Sequence, residues 1–184
     1  MSYVEKMLMF NKEFVNEKRY ESFAPDTSPG KNIVVISFMD TRLIDLLYAA
    51  LNFKDGKIAD IIEATGAEIK ESYGNVMRRL IVTMYASDIE DILVIGHPDC
   101  GTQDTKPFDI TEKMRERGVP RDKIDSLNKS DMNIEKWFAY SGSAKSSITD
   151  AVKTIKAHPL VPVDVSVTGL TMNPETGSIR IVSE

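Results

Sequence analysis

Residues 31–42 read KNIVVISFMDTR, an apolar run rich in β-branched side chains that ends abruptly in polar residues. Residues 89–101, IEDILVIGHPDCG, repeat this pattern further along the chain. Short continuous apolar runs are typical of strands that are buried on both faces of a parallel sheet. Because open parallel sheets place their sites beyond the carboxyl ends of the strands, these two polar ends are the first candidates for a functional site.

Helical patterns separate the apolar runs. A helix is predicted over residues 43–51 and another over residues 73–86, with a third strand between them at residues 58–62. Residues 163–170 are predicted as a strand, and the turn residues NPETG at 173–177 lead back into a final strand. The alternation predicts an α/β fold with a mainly parallel sheet flanked by helices and an antiparallel element at its C-terminal edge.

The length of 184 residues suits one compact domain with a small appendage. Residues 1–30 are predicted to form an N-terminal helical arm and connector, and residues 31–184 the α/β domain. The arm begins with a capping-box pattern, in which Ser2 and Glu5 are three residues apart. Residues 105–129 are more polar, and we expect two short helices there, inserted beside the site.

Composition and charge exclude several classes of partner. The 23 basic and 28 acidic residues give a net charge of −5 and are spread along the chain, so no basic footprint for nucleic acid or an anionic membrane is present. No apolar run approaches the roughly 18 residues of a membrane span, and the charged N-terminus does not resemble a signal peptide. We therefore expect a cytoplasmic protein with no nucleic-acid or membrane partner.

Cys100 is the only cysteine and His97 is one of only two histidines. An intramolecular disulfide framework and a cysteine-rich zinc finger are therefore excluded, and any zinc site must also use carboxylates or water. Three residues apart on a turn, His97 and Cys100 can reach one metal ion. Their spacing alone equally fits a buried histidine that donates to a carbonyl and a cysteine that packs as a small apolar residue. A thiol redox sensor at Cys100 is a further alternative.

Asp40 and Arg42 lie two residues apart after the first apolar run. In an extended segment both side chains project to the same side, where they can form a charge-assisted pair that keeps the carboxylate ionised and oriented. A structural ion pair that stabilises a loop has the same spacing. The pattern alone leaves both interpretations open.

Taken together, residues 38–42 (FMDTR) and 97–101 (HPDCG) resemble the β-class carbonic anhydrases, whose signature is C-x-D-x-R after one strand and H-x-x-C-G after a later one. The similarity extends over residues 31–182. It includes residues 59–66 (ADIIEATG), which are similar to the strand that leads into the family's R-N-A-G, and a closing hairpin at residues 167–181.

The resemblance implies the reversible hydration of carbon dioxide to bicarbonate at a zinc ion held by two cysteines and one histidine. The fourth position is taken by water or by the aspartate of C-x-D-x-R. Asp40 and Arg42 match the family's aspartate–arginine dyad. His97 and Cys100 match two of the three protein ligands, and Gly101 matches the glycine that follows.

Two positions depart from the family pattern. Phe38 stands at the first cysteine ligand, and a phenyl ring cannot bind zinc. Glu63 stands at the arginine of R-N-A-G, where a solvent-exposed charge at a strand end is the plainer interpretation. The predicted ligand set is accordingly His97, Cys100 and the carboxylate of Asp40, with Glu63 as a possible neighbour.

Two functions follow as hypotheses. The first is a zinc-dependent carbonic anhydrase, a lyase acting on carbon dioxide and bicarbonate. The second is a zinc-free, non-catalytic relative that binds a small anion or a protein partner, as the loss of a thiolate at Phe38 suggests. The resemblance also implies a homodimer or an assembly of dimers, with the N-terminal helix reaching across to the partner subunit.

Overall fold

The computed structural model describes residues 1–23, 30–52, 56–98, 107–130, 133–139 and 142–183. In this part of the chain one sheet has the strand order β2-β1-β3-β4-β5. Its strands are β1 Ile33–Ser37, β2 Ile58–Glu63, β3 Asp91–Gly96, β4 Ser166–Met172 and β5 Ile179–Ser183. The pairings among β1 to β4 are parallel, whereas β5 runs antiparallel to β4. The predicted mainly parallel sheet with an antiparallel C-terminal edge is confirmed.

The described helices flank this sheet or precede it. They are α1 Tyr3–Asn16, α2 Ile44–Ala50, α3 Asn75–Ala86, α4 Pro107–Glu116, α5 Arg121–Lys129, α6 Ile134–Phe138 and α7 Ala144–Lys156. Helices α4 and α5 are the two short helices expected in the polar region. Helix α7 was not predicted, although Ile148, Val152 and Ile155 show the apolar spacing of a helix. No helix in the described ranges is long and apolar enough to cross a membrane.

The core consists of two apolar clusters, because side chains alternate between the faces of a strand. Val34 and Ile36 of β1 belong to the cluster that also contains buried residues of α3 and α7. Val35 belongs to the other cluster, together with Phe38 and Leu47. Strand β1 is thus buried on both sides, as its continuous apolar sequence predicts.

Two glycines let α7 lie close to the strands that lead to the candidate site. A Cβ atom on Gly169 of β4 would lie 2.6 Å from Cγ2 of Ile148, and one on Gly96 of β3 would lie 2.9 Å from Cδ1 of the same side chain. Real Cβ contacts are not that short. Glycine at both positions therefore sets the distance between α7 and the sheet.

Helix α1 begins with the predicted capping box, in which Ser2 accepts a hydrogen bond from the backbone N–H of Glu5 and the Glu5 carboxylate accepts one from the backbone N–H of Ser2. No residue of this helix is buried. Its exposed large apolar side chains are Tyr3, Val4, Met7, Leu8, Met9, Phe10 and Val15. The helix therefore presents an uncovered apolar surface in the single chain.

Candidate functional site

The two polar strand ends meet at one edge of the sheet. Strands β1 and β3 are parallel neighbours, and Ser37 at the end of β1 is paired with Ile95 near the end of β3. Residues that follow the two strands therefore leave the sheet side by side. This arrangement brings Asp40 and His97 together, as their positions in the sequence predict.

Asp40 is held by Arg42 through a two-pronged ion pair. The Arg42 Nε donates to Oδ1 of Asp40 at 2.8 Å, and a terminal guanidinium nitrogen donates to Oδ2 at 2.5 Å. The backbone N–H of Arg42 also donates to Oδ1, at 3.1 Å. The segment is a turn closed by a hydrogen bond from Leu43 N–H to the Asp40 carbonyl at 3.0 Å. The expected pair forms, but the expectation of an extended segment is wrong because the turn brings the two side chains together.

This ion pair fixes the charge of Asp40. The hydrogen bonds from the Arg42 side chain lower the pKa of the Asp40 carboxyl from 3.8 to about 2, against the opposing effect of burial. Only 9% of the Asp40 side chain is exposed, whereas 70% of the Arg42 side chain is exposed. Asp40 is therefore an ionised and nearly buried carboxylate at neutral pH.

His97 is buried with one ring nitrogen lacking a hydrogen bond. Its Nδ1 lies 2.7 Å from the carbonyl oxygen of Pro98. Because a carbonyl can only accept, Nδ1 carries the proton when the ring is neutral, and Nε2 then has a free lone pair. Nε2 is buried and has no hydrogen-bond partner among the described residues. It lies 3.9 Å from Oδ2 of Asp40.

These two atoms fit a metal cation. A separation of 3.9 Å is too long for a hydrogen bond. Zinc binds nitrogen and oxygen ligands at about 2.0–2.2 Å, so one ion between Nε2 and Oδ2 could contact both atoms. Buried polar atoms in native proteins nearly always have a partner. The orphaned Nε2 opposite an ionised carboxylate is therefore an arrangement that a bound cation would satisfy.

Phe38 packs directly against His97. The two ring centroids are 4.5 Å apart and the ring planes are inclined by 79°, which is an edge-to-face contact. Phe38 is 1% exposed and belongs to an apolar cluster with Leu47, Ile95 and Met172. The ring thus points toward the site and supplies no ligand there.

The described residues supply only part of a metal site. No group of three histidine, cysteine, aspartate or glutamate residues lies close enough to hold a metal within the described ranges. The predicted ligand Cys100 and its neighbour Gly101 lie outside the described residues. Asp40 and His97 are the two predicted ligands whose mutual geometry is visible.

Glu63 ends β2 and is exposed. It lies in register with Ser37, next to the site, but in the described structure it has no hydrogen bond or ion pair with Asp40 or His97. The hydrogen bond to Asp60 raises the pKa of Arg79, and the negative charge of Glu63 adds a smaller effect in the same direction. This placement agrees with the interpretation of Glu63 as an exposed charge at a strand end.

A cavity of about 600 Å³ lies beside the strand ends and was not predicted from the sequence. Met39, Glu63 and Thr65 line it, together with Trp137 and Phe138 of α6.

The buried Glu68 also lines this cavity. Its carboxylate accepts a hydrogen bond from Ser147 at 3.3 Å and lies 3.6 Å from Nζ of Lys70. Ser147 is 79 residues away in the sequence, so no local pattern could have identified this pair.

Comparisons with known proteins show relatives by sequence and by fold. No family model matches the chain. The Bacillus subtilis protein named "Putative carbonic anhydrase YtiB" is 35% identical over 182 residues, which cover 99% of this chain and 97% of that protein. A carbon disulfide hydrolase from Acidithiobacillus thiooxidans is 22% identical over 112 residues, 58% of this chain and 56% of that one.

Among solved structures, β-carbonic anhydrase isoform I from Trichomonas vaginalis superimposes with a TM-score of 0.81. The superposition covers 100% of this chain and 99% of that chain at 22% sequence identity. At this identity the likeness establishes a shared fold and not a shared activity.

Proposed function

Because the chain belongs to the β-carbonic anhydrase family, we propose that it catalyses the reversible hydration of carbon dioxide to bicarbonate at a zinc site formed by His97, Cys100 and Asp40. The observation that carries the proposal is the buried Nε2 of His97, which has no hydrogen-bond partner among the described residues and faces the Asp40 carboxylate at 3.9 Å. A free lone pair opposite a fixed negative charge is suited to a divalent cation.

Zinc held by His97, Cys100 and Asp40 would lower the pKa of a coordinated water and so would supply a hydroxide nucleophile near neutral pH. Asp40 is too weak a base to take a proton at neutral pH, because its pKa is about 2. Its role would be to stay ionised, with Oδ2 on the side of His97 as a ligand to the cation and the carboxylate able to accept a hydrogen bond that orients the nucleophile. Arg42 keeps the carboxylate in that state and fixes its orientation through the two-pronged pair.

The alternative is a zinc-free, non-catalytic relative that binds a small anion or a protein partner. Phe38 favours this alternative, since its ring stands where the family has a zinc-binding thiolate. A structural zinc site contributes roughly 10–16 kcal/mol, so the loss of one of three protein ligands can reduce affinity by several powers of ten. The carboxylate of Asp40 would have to offset part of that loss.

Metal content and activity measured on the same sample distinguish the two functions. The chain is purified without chelators, its zinc per chain is determined, and carbon dioxide hydration is followed by stopped flow with and without added zinc. Carbon disulfide is assayed in parallel, because one similar protein is a carbon disulfide hydrolase. Zinc near one per chain with hydration activity supports the enzyme, whereas neither zinc nor activity after zinc addition supports the alternative.

The two histidines provide a matched pair of variants. His97→Asn removes the proposed ligand and is expected to reduce both zinc content and hydration rate at least tenfold. His158→Asn changes the only other histidine, whose Nδ1 accepts a hydrogen bond from the Leu160 N–H at 3.2 Å. This control variant retains an acceptor for that bond and is expected to keep both zinc and activity. Equal losses in the two variants would argue against a specific role for His97.

We also propose that the active form is a cytoplasmic homodimer or an assembly of dimers. The exposed apolar side chains of α1, among them Leu8 and Phe10, support an interface with a second copy. Sedimentation of the wild type and of Leu8→Glu tests this proposal. A wild type that is monomeric at micromolar concentration would contradict it.

A further inference from the structure

We infer that Phe38 is a positioning residue for His97, whose ring it holds with the unprotonated Nε2 facing Asp40. The use of Nε2 as a metal ligand rests on the proposed function, but the orientation of the ring does not. In this interpretation the residue that replaces a family ligand also stabilises one of the ligands that remain.

The imidazole ring needs more than one restraint. Rotation of a histidine ring about χ2 has broad, roughly two-fold minima, so a flipped ring is a nearby alternative. A flip exchanges the positions of nitrogen and carbon atoms, and both the Nδ1 contact with Pro98 and the approach of Nε2 to Asp40 would be lost. The Pro98 carbonyl at 2.7 Å is one restraint on the observed orientation.

Phe38 supplies the second restraint. Its edge-to-face contact, with centroids 4.5 Å apart, depends on the plane of the imidazole as well as on its position. A flip of about 180° preserves the imidazole plane, so the hydrogen bond to Pro98 selects between the two flipped orientations. The Phe38 contact instead opposes the smaller rotations about χ2 that would tilt the plane and lengthen the hydrogen bond that holds the proton on Nδ1. Both residues are 1% exposed, so neither ring can move into solvent without opening the core.

Phe38 is itself fixed by the core beneath the site. It packs in the cluster that contains Leu47 of α2, Ile95 of β3 and Met172 of β4. Ile95 precedes His97 by two residues, so Phe38 is in the same cluster as the strand that carries the imidazole. Packing within this cluster therefore links Phe38, which follows β1, to His97, which follows β3.

The ring tautomer of His97 is a direct readout of this role. The 184-residue chain is labelled with ¹⁵N-histidine, and long-range ¹H–¹⁵N spectra are recorded at about pH 8.5, well above the ordinary histidine pKa of about 6.5. Only two histidines contribute signals, and His158→Asn assigns them. Spectra are taken as purified and after dialysis against a chelator, so that no metal holds the ring.

In the chelated wild type we expect protonated Nδ1 and unprotonated Nε2. Phe38→Leu keeps an apolar side chain but removes the ring, and we expect a mixture in which Nε2 is partly protonated. Ile155→Ala is the control, because Ile155 is 0% exposed in the other core cluster and its change loosens the core without altering the cluster that holds Phe38. We expect the wild-type tautomer in this control.

Several results would overturn the inference. These are a protonated Nε2 in the wild type, an unchanged tautomer in Phe38→Leu, or an equal change in Ile155→Ala. Absence of zinc and of hydration activity in the wild type would contradict the proposed function alone. Because the tautomer is measured without metal, the role of Phe38 can be tested independently of zinc binding. It would be supported if the wild type carries its proton on Nδ1 and Phe38→Leu gives a mixture of the two tautomers.

Discussion

The Asp40 Oδ2 lies 3.9 Å from the Nε2 of His97, across a gap that no described hydrogen bond spans. Arg42 holds both oxygens of the carboxylate, and the Pro98 carbonyl contacts the other nitrogen of the imidazole. The carboxylate and the imidazole are thus each oriented by another group, while Nε2 of His97 keeps a lone pair without a hydrogen-bond partner among the described residues. This relationship is the basis of the proposed zinc site.

Replacing Arg42 by methionine is expected to destabilise the metal-free protein in a pH-dependent way. The pKa of Asp40 is lowered in the folded state, so the pair stabilises the fold above the unfolded-state value of 3.8, and this contribution is lost as the pH falls through about 2. The large exposure of Arg42 reduces the effect, and we expect about 1–2 kcal/mol at pH 6. Urea unfolding at about pH 6 and pH 2.5 measures the difference.

Arg121→Met is the control for this variant, because Arg121 forms an exposed pair with Asp125 at 3.6 Å. Its effect is expected to stay below about 0.5 kcal/mol at both values of pH. A loss of stability in Arg42→Met that is independent of pH would contradict the assignment of the low pKa to this pair.

Restoring the missing thiolate is expected to strengthen zinc binding. Phe38→Cys places a soft ligand at the position of the family's first cysteine, and we expect affinity to rise at least about tenfold, or about 1.4 kcal/mol. Competition against a chromophoric chelator measures the change. Phe38→Ser opens similar space without a thiolate and should bind no better than the wild type, so equal gains in both variants would point to steric relief by removal of the ring.

Lys70→Met is expected to destabilise the region around the cavity by about 1–2 kcal/mol. The Lys70 ammonium group donates to the carbonyls of Trp137, at 3.2 Å, and Ala139, at the end of α6, and lies 3.6 Å from the buried carboxylate of Glu68. Methionine keeps the apolar stem but loses these contacts. Denaturant unfolding measures the change.

The matched control for Lys70 is Lys153→Met, which removes a pair with Asp150 that is 3.7 Å long and mostly exposed. A change within about 0.5 kcal/mol is expected for such a surface pair. Equal effects of the two lysine variants would mean that the Lys70 contacts contribute no more than an exposed ion pair.

Gly169→Ala is expected to destabilise the fold by about 1–3 kcal/mol, because the added methyl group would lie 2.6 Å from Cγ2 of Ile148. Ile148→Ala creates space at the same contact. The double variant should therefore lose less stability than the sum of the two single variants, and a double-mutant cycle from urea unfolding measures this coupling. Strict additivity would show that the close approach of α7 does not cause the loss.

Much of the sheet could be predicted because its signals are local. The apolar runs that became β1 and β3 are continuous in the sequence, and strands buried on both faces require such runs. The turn after β4 is likewise encoded nearby, since Asn173 accepts backbone hydrogen bonds from Glu175 and Thr176. Helix α7 was missed although its apolar spacing was present, because serine and threonine residues interrupt the pattern.

By itself the sequence determined the α/β fold, the two polar strand ends and the identity of Asp40, Arg42 and His97 as candidates. Each of these depends on neighbours within a few residues. The tertiary structure alone decided that Phe38 packs against His97 and that Nε2 faces Asp40 without a hydrogen bond. These outcomes depend on side chains that approach from separate strands, and their contacts arise only when the sheet is assembled.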